Sequence, residues 1–225
     1  MQLAPYAKGR FAGHLDQQQN AFREALLNCD HQLLNMEQGQ HLLTQGEALD
    51  ALYLVPEGKV SMHISAINGR RFQLGEVNCH WHLYGEMEFF TGTVCQWSVV
   101  AEARMQIRQI CLKSVQQLLL KQPEYSLFFA SALAWDYQDS LDIYTNRLLH
   151  TISYNIAWDL LHRPQTQTNL HGFGKMDPEA ERFGTTSRVF RRAVKELIDK
   201  GLVEKQGASL KILDFDRLKQ FVDQG

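Results

Sequence analysis

Four cationic residues near the carboxyl end of the chain are spaced so that they share one face of a helix. They are Arg188, Arg191, Arg192 and Lys195. The opposite face is apolar and would pack on a core, with Phe190, Ala193, Val194, Leu197 and Ile198. Cations in this arrangement can contact phosphates and base edges in a DNA major groove. The alternative is an ordinary surface helix whose charges are only solvated.

The residues around this helix predict two helices joined by a tight turn and followed by a two-stranded hairpin. Asp177-Pro178-Glu179 is typical of a helix start, and Gly184 of a helix end. Residues 185–187 offer hydroxyl N-caps to the second helix, which Gly201 would end. Alternating apolar residues within 203–212 then predict the hairpin. We therefore expect DNA contacts from Thr186, Ser187, Arg188, Arg191, Arg192 and Lys195.

A second set of residues has the chemistry of a metal site. His80, His82 and Glu86 offer two imidazoles and a carboxylate, which suit divalent Fe, Mn, Ni or Zn. The spacing is similar to the first half of the cupin metal motif, but the second half has no match downstream. Cys79 or Cys95 could add a soft ligand, or ligate haem near this turn. The alternative is that both histidines are exposed turn residues and that Glu86 caps a helical turn. Because half a motif often misleads, we expect no metal, haem or other cofactor.

No catalytic constellation is recognisable in the sequence. It contains no Ser, His and Asp in triad order, no glycine-rich phosphate loop and no His-Glu-x-x-His. The leading hypothesis is a DNA-binding protein without catalytic residues or enzymatic activity. The alternative from another class is a cupin-like metalloprotein or small-molecule sensor that uses the turn containing His80, His82 and Glu86.

Charge is distributed unevenly along the 225 residues. The formal net charge is -2, yet residues 175–212 carry nine Lys or Arg against six Asp or Glu, which leaves -5 for the remainder. A locally basic module in a weakly acidic chain favours a specific DNA reader over a polybasic binder.

The four cysteines are predicted to be free thiols of a reducing compartment, because Cys29, Cys79, Cys95 and Cys111 form no C-x-x-C pair. Residues 1–15 lack the apolar core of a signal peptide. The most apolar run, 127–135, is too short to span a bilayer. We expect a soluble cytoplasmic protein that is nucleoid-associated when bound to DNA.

Residues 39–112 are typical of short antiparallel strands, since alternating apolar residues are interrupted by glycines. Asn68-Gly69 between two such runs is the strongest short-range hairpin signal. We predict an antiparallel roll or barrel here. One or two short helices are expected over 20–34.

A longer helix is predicted over 124–149, after a short one over 113–121. Apolar residues recur along it at steps of three and four, which is typical of a coiled-coil dimer interface. Packing within one chain would also need an apolar stripe and remains the alternative. The predicted seam consists of Leu127, Ala130, Ala134, Tyr137, Leu141, Tyr144 and Leu148.

Four motifs follow one another in the chain: Gly39-x6-Gly46-Glu47, Leu52-Tyr53-x4-Gly58-x-Val60, Gly85-Glu86-x3-Phe90 and Phe183-Gly184-x-Thr186-x9-Glu196-Leu197-x3-Gly201-Leu202-Val203. With the order of roll, long helix and C-terminal module, they resemble the Crp/Fnr family of bacterial transcription regulators, and most of all its YeiL-like branch. The resemblance implies an α+β chain with three parts. These are a cyclic-nucleotide-binding-like β-roll (double-stranded β-helix) as sensor domain over 1–123, a dimerisation helix over 124–150 and a winged helix-turn-helix DNA-binding domain over 151–225.

The resemblance also implies an effector pocket formed by Gly85, Glu86, Gln96 and Trp97. Members that bind cyclic nucleotides hold the ribose with this Glu and neutralise the phosphate with an Arg about ten residues later. Here residues 93–98 contain no cation, and a buried phosphate needs charge-assisted donors. We therefore expect no control by cyclic AMP. The cysteine cluster of iron–sulfur members is also missing.

The implied partners are a palindromic double-stranded operator, a second copy of the chain and RNA polymerase, with no membrane. The family's frequent Glu in the recognition helix is Arg188 here. Because Arg donates to guanine whereas Glu accepts from cytosine, the operator is expected to differ from the usual half-site.

Overall fold

The computed structural model describes residues 1–4, 8–67, 71–162, 176–206 and 209–224. The chain forms two compact units, one from residues 1–67 and 74–140 and the other from residues 71–73 and 141–224, with the gaps named above. In the first unit the elements are α1 (Ala12–Leu27), β1 (His31–Met36), β2 (His41–Leu43), β3 (Ala51–Ser65), β4 (Arg71–Tyr84), α2 (Glu86–Thr91), β5 (Ser98–Ala101), β6 (Met105–Cys111), α3 (Leu112–Lys121), a 3-10 turn (Pro123–Tyr125) and α4 (Ser126–Leu149), whose end reaches the second unit.

The first unit is built on a curled antiparallel sheet, as the predicted roll requires. Its six strands run in the order β1-β6-β3-β5-β2, and β4 pairs with β3. The long β3 makes the curl, because residues 51–54 pair with β6 whereas residues 60–63 pair with β5. The two strands that flank the predicted Asn68-Gly69 turn do pair, and the turn itself lies outside the described residues. The fold is thus a mixed α/β half-barrel.

Side chains of β3 alternate between two cores, because successive residues of a strand point to opposite faces. Leu52 and Leu54 face a core shared with the helices, and Tyr53 and Val55 face the interior of the roll. The helical core is aromatic, with the Phe22 ring stacked on that of Phe128 at 4.3 Å between centroids.

Two predictions about this unit need correction. The region 20–34 is not wholly helical, since α1 ends at Leu27 and β1 begins at His31. The reason is that β6 provides a neighbouring edge for residues 31–36, and this long-range pairing is invisible to local periodicity. The long helix is preceded by a 3-10 turn, so it begins at Ser126 rather than at residue 124.

The second unit contains the C-terminal helices and a hairpin. Its elements are α5 (Ile152–His162), α6 (Met176–Arg182), α7 (Ser187–Asp199), β7 (Val203–Gln206), β8 (Ser209–Ile212) and α8 (Phe215–Asp223). Ile156, Phe190, Leu197 and Leu218 are fully buried in its core. The helix α8 was not predicted. No helix among the described residues is long and apolar enough to cross a membrane.

Candidate functional site

The turn between α6 and α7 is closed by backbone hydrogen bonds around Gly184. Gly184 has a φ of +62°, which disfavours residues with a side chain. Thr185 N–H donates to the carbonyl of Ala180 at 2.9 Å, and Gly184 N–H donates to that of Glu181 at 3.0 Å. This pair of bonds is the Schellman arrangement that ends a helix. The predicted end of the short helix at Gly184 is confirmed.

Thr186 caps α7, as predicted. Its backbone is extended, and its hydroxyl accepts a hydrogen bond from the Val189 N–H at 3.4 Å. At the other end of the helix, Gly201 N–H donates to Ile198 and Leu202 N–H to Leu197, at 2.8 and 3.1 Å. The Gly201 φ of +67° allows this second Schellman closure. Both ends of α7 are therefore set by residues within the helix or next to it.

The cationic face of α7 is open to solvent. Arg188, Arg191, Arg192 and Lys195 are all exposed, and none of the four forms an ion pair within the described part of the chain. Arg191 Nε donates to the carbonyl of Ser187 at 3.1 Å, which holds one guanidinium over the first turn. Thr186 is exposed and Ser187 is half-buried. Apart from the Arg191 Nε, the donors of these four cations have no acceptor among the described residues and are open to an external one.

The opposite face packs on the core of the second unit, with one exception. Phe190, Ala193, Val194 and Leu197 are buried as predicted, but Ile198 is 37% exposed. The prediction for Ile198 was wrong, because the buried stripe of α7 is narrower than the apolar stripe of its sequence. Beyond the helix, β7 and β8 pair antiparallel from Val203–Ile212 to Gln206–Ser209, which confirms the predicted hairpin.

A cluster of buried charges holds α6 beside α5, and sequence reasoning missed it. Arg182 pairs with Asp159, and its other terminal nitrogen lies 3.8 Å from Glu179. Burial raises the pKa of Asp159. Burial also lowers the pKa of Arg147, and the nearby positive charge of Arg182 lowers it further by a smaller amount. The available signal was Asp159, the one acidic residue of the otherwise mostly apolar α5. This cluster positions α6, and through the turn at Gly184 it helps to place α7.

The predicted effector pocket is occupied at its acidic end by the chain itself. The Met1 ammonium donates to Glu86 Oε1 at 2.6 Å and to the carbonyl of Leu83 at 2.6 Å. The ammonium is fully buried and the Glu86 side chain is 13% exposed. Gly85, with a φ of +94°, cannot carry a side chain here, since a Cβ would lie 2.6 Å from Leu49 Cδ1. The carboxylate of Glu86 is accordingly engaged.

The other predicted pocket residues follow α2. Gln96 is exposed, and its backbone N–H donates to Oε1 of the buried Glu88 at 3.3 Å. Trp97 is half-buried and packs on the interior core of the roll. No cation belongs to residues 93–98, so Glu88 and Glu86 are the charged groups that this structure places at α2.

The candidate metal ligands do not converge. His82 Nδ1 accepts a hydrogen bond from the His80 backbone N–H at 2.9 Å, and Glu86 binds the Met1 ammonium. His80 is exposed as the turn interpretation predicts, but His82 is half-buried, and burial lowers its pKa to about 4. Cys79 Sγ lies 3.3 Å from the Tyr84 hydroxyl. Among the described residues, no three His, Cys, Asp or Glu side chains are grouped closely enough to hold a metal ion.

Comparisons with known proteins agree with this architecture. Residues 33–122 match the family model of the cyclic nucleotide-binding domain. The c-di-GMP-responsive global regulator CLP of Xanthomonas campestris has a similar structure, with a TM-score of 0.71 at 17% identity over 87% of this chain and 99% of that one.

Two further solved structures are similar. A transcriptional regulator of the Crp/Fnr family from Eubacterium rectale gives a TM-score of 0.70 at 15% identity, covering 90% of this chain and 94% of that one. A CooA mutant from Carboxydothermus hydrogenoformans gives 0.69 at 16% identity, covering 98% and 99%. No curated protein matches the sequence. At these identities the similarity establishes a shared fold.

Proposed function

We propose that this protein is a transcription regulator of the Crp/Fnr type, which binds a palindromic DNA operator as a homodimer and is not controlled by cyclic AMP. The observation that carries the proposal is the exposed, unpaired cationic face of α7, held between a glycine turn and a hairpin. This arrangement supports a winged helix-turn-helix, in which α7 would be the recognition helix and β7–β8 the wing.

Arg188, Arg191 and Arg192 are the residues proposed to read or position the DNA. A guanidinium that binds a guanine in bidentate fashion contributes about 1–3 kcal/mol of discrimination, whereas one that binds phosphate mainly steepens the salt dependence. Lys195 is one turn further along α7, where its flexible ammonium suits a phosphate contact. Thr186 and Ser187 place the first N–H groups of the helix, which favour an anion at this end.

The dimer interface is proposed on α4. The helix buries Phe128, Phe129 and Ala132 in its own chain, so the intramolecular packing uses a stripe other than the predicted seam. Along that seam Leu127 is half-buried, whereas the rest is exposed, with Leu141 at 50% and Leu148 at 82%. Because half-sites about one helical turn apart need two recognition helices in fixed geometry, a second copy is the occupant that the proposal requires.

Independence from cyclic AMP is proposed from the charges around α2. The carboxylate that would hold ribose already accepts from the Met1 ammonium, and residues 93–98 offer no cation to a phosphate. Burying a phosphate without a charged partner would be costly. The metal or haem alternative is not favoured, because His82 and Glu86 each use their acceptor within the chain. We propose no cofactor and no enzymatic activity; RNA polymerase and the cytoplasm remain the predicted partner and location.

Selection of binding sites from random duplexes tests the DNA proposal. We expect the wild type to enrich a palindromic site, and Arg188→Ala to weaken it by roughly 5- to 150-fold, the equivalent of about 1–3 kcal/mol. Lys113→Ala removes an exposed cation from α3 and is the matched control, expected to select the same site with the same affinity. Failure to enrich any palindrome, or equal selection by Arg188→Ala, would show that α7 is not the recognition helix.

Sedimentation tests the dimer. Leu141→Glu would bury an unpaired charge if the α4 seam is covered, so we expect a monomer at concentrations where the wild type is a dimer. Gln138→Glu adds the same charge to an exposed α4 position outside the predicted seam and should remain dimeric. A Leu141→Glu variant that sediments as the wild-type dimer would move the interface elsewhere.

A further inference from the structure

A groove crosses the outer face of the roll, apart from the pocket at Glu86, Gln96 and Trp97. Its volume is about 650 Å³, and its walls come from the end of β4, the middle of β3 and the start of β6. Gly58 lies at its floor, where a Cβ would come within 2.5 Å of Met105 Sδ. The groove shares no lining residue with the predicted effector pocket.

Trp81 forms one wall of the groove in an unusual backbone conformation. Its φ of +53° is the only positive value of a non-glycine residue in the described ranges. A bulky residue in this region is strained, and such strain persists where the surroundings hold it and is concentrated at functional sites. Here the Leu3 N–H donates to the Trp81 carbonyl at 2.9 Å, and the Arg23 guanidinium lies 4.9 Å from the indole centroid. The half-buried indole also packs on the helical core, so the ring is fixed in place and Arg23 covers part of it.

The facing wall is rich in hydrogen-bond donors. Gln106 and Arg108 point to the outer face of β6, since the intervening Ile107 is buried in the interior. Arg108 is half-buried and makes no ion pair within the described ranges. Arg104, beside them, pairs with Glu37 at 3.4 Å, but both side chains are mostly exposed, so this pair is weak and easily opened. Glu57 is the one acid of the lining, which leaves it with a net positive charge.

We propose that this groove binds a small organic anion with a planar apolar body, such as an aromatic carboxylate. The planar body would lie against the Trp81 indole, and the acidic group would accept a bidentate pair of hydrogen bonds from Arg108, a geometry that planar guanidinium favours. Arg104 supplies further donors along the same edge, whereas the Gln106 amide nitrogen already donates to Asn35 Oδ1 at 3.3 Å. The proposal is independent of DNA binding, because every lining residue belongs to the first unit.

Calorimetric titration of the full chain with 2-naphthoate tests the proposal. We expect saturable binding of one anion per chain, and binding at least tenfold weaker for the neutral 2-naphthylmethanol. Arg108→Gln should weaken 2-naphthoate binding at least tenfold. Arg10→Gln removes another exposed guanidinium outside the groove and should leave the binding unchanged.

Trp81→Gly is a second variant, which relieves the backbone strain because glycine adopts a positive φ freely, but which also removes the packing of the indole on the helical core. We expect it to lose binding while it retains the circular dichroism of the wild type; should it unfold, Arg108→Gln alone decides. The proposal is overturned if 2-naphthoate shows no saturable binding, if the neutral analogue binds equally well, or if Arg108→Gln binds like the wild type. None of these results bears on DNA selection.

Discussion

The cationic face of α7 and the acidic end of the predicted effector pocket differ in what their charges contact. The cations of α7 are exposed and form no ion pair in the described ranges, whereas Glu86 is paired with the buried Met1 ammonium. A charge that is left in water can bind an external partner at little desolvation cost. A buried charge already paired within the chain must first lose that partner. The sequence already predicted that residues 93–98 lack a cation for a phosphate, but it gave no sign that Glu86 pairs with the Met1 ammonium.

The largest effect is expected at the Asp159–Arg182 pair, which holds α6 beside α5 and so helps to place the exposed cationic face of α7. Asp159→Asn removes the acidic partner of Arg182, and we expect it to lower the free energy of unfolding by about 3 kcal/mol, since a buried pair then loses one charge. Chemical denaturation measures this change. Asp223→Asn, at an exposed site on α8, is the control and should leave stability within about 0.5 kcal/mol. Equal stability of both variants would mean that the cluster does not hold α6.

Acid should destabilise the roll through His82. Its pKa in the folded protein is about 4, below the ordinary value of 6.5, because burial disfavours the charged ring. The unfolded chain thus binds a proton between pH 6.5 and 4 that the folded chain does not, so stability falls as the pH is lowered through this window. We expect a loss on the order of 1–3 kcal/mol. Between pH 6.5 and 4, the free energy of unfolding should depend less on pH in His82→Gln than in the wild type. His80→Gln should behave like the wild type, because the His80 ring is exposed.

A smaller effect is expected at the start of α7. Thr186→Ala removes the hydroxyl that accepts from the Val189 N–H, and we expect a loss of about 1 kcal/mol in stability. Thr186→Ser keeps the hydroxyl and should stay close to the wild type. Thermal unfolding distinguishes the two variants. If both unfold like the wild type, the 3.4 Å hydrogen bond contributes no stability.

The smallest expected effect is none: calorimetry should detect no saturable binding of cyclic AMP at micromolar concentration. Glu86 is engaged by Met1, and residues 93–98, which include Gln96 and Trp97, contain no cation to replace the phosphate's hydration. Saturable micromolar binding that disappears in Glu86→Ala would contradict this prediction. Such binding would mean that the pocket at Glu86 recognises cyclic nucleotides, and that its charge is as available to an external partner as the cations of α7.

The structure of α7 was accessible to sequence reasoning because its determinants are local. Thr186, Gly184 and Gly201 act on backbone groups within five residues, and the buried stripe follows the helical period. Ile198 is the exception, since its exposure depends on which other elements surround α7. The Gly85-Glu86 motif was also recognisable, but the partner of Glu86 across the fold, the Met1 ammonium, was not.

The sequence by itself determined the alternation of the strands, the caps of α7 and the cations on its outer face, because each depends on neighbours within a few residues. Only the tertiary structure decided that β3 pairs with both β6 and β5, that Met1 binds Glu86 and that Trp81 and Arg108 line one groove. Those contacts join residues that are 27 to 85 positions apart, or strands whose partners are chosen by register. The physical reason is that local periodicity fixes which face of a helix or strand is apolar. The residues that contact this face, or that pair with a buried charge, are determined by the packing of all elements together.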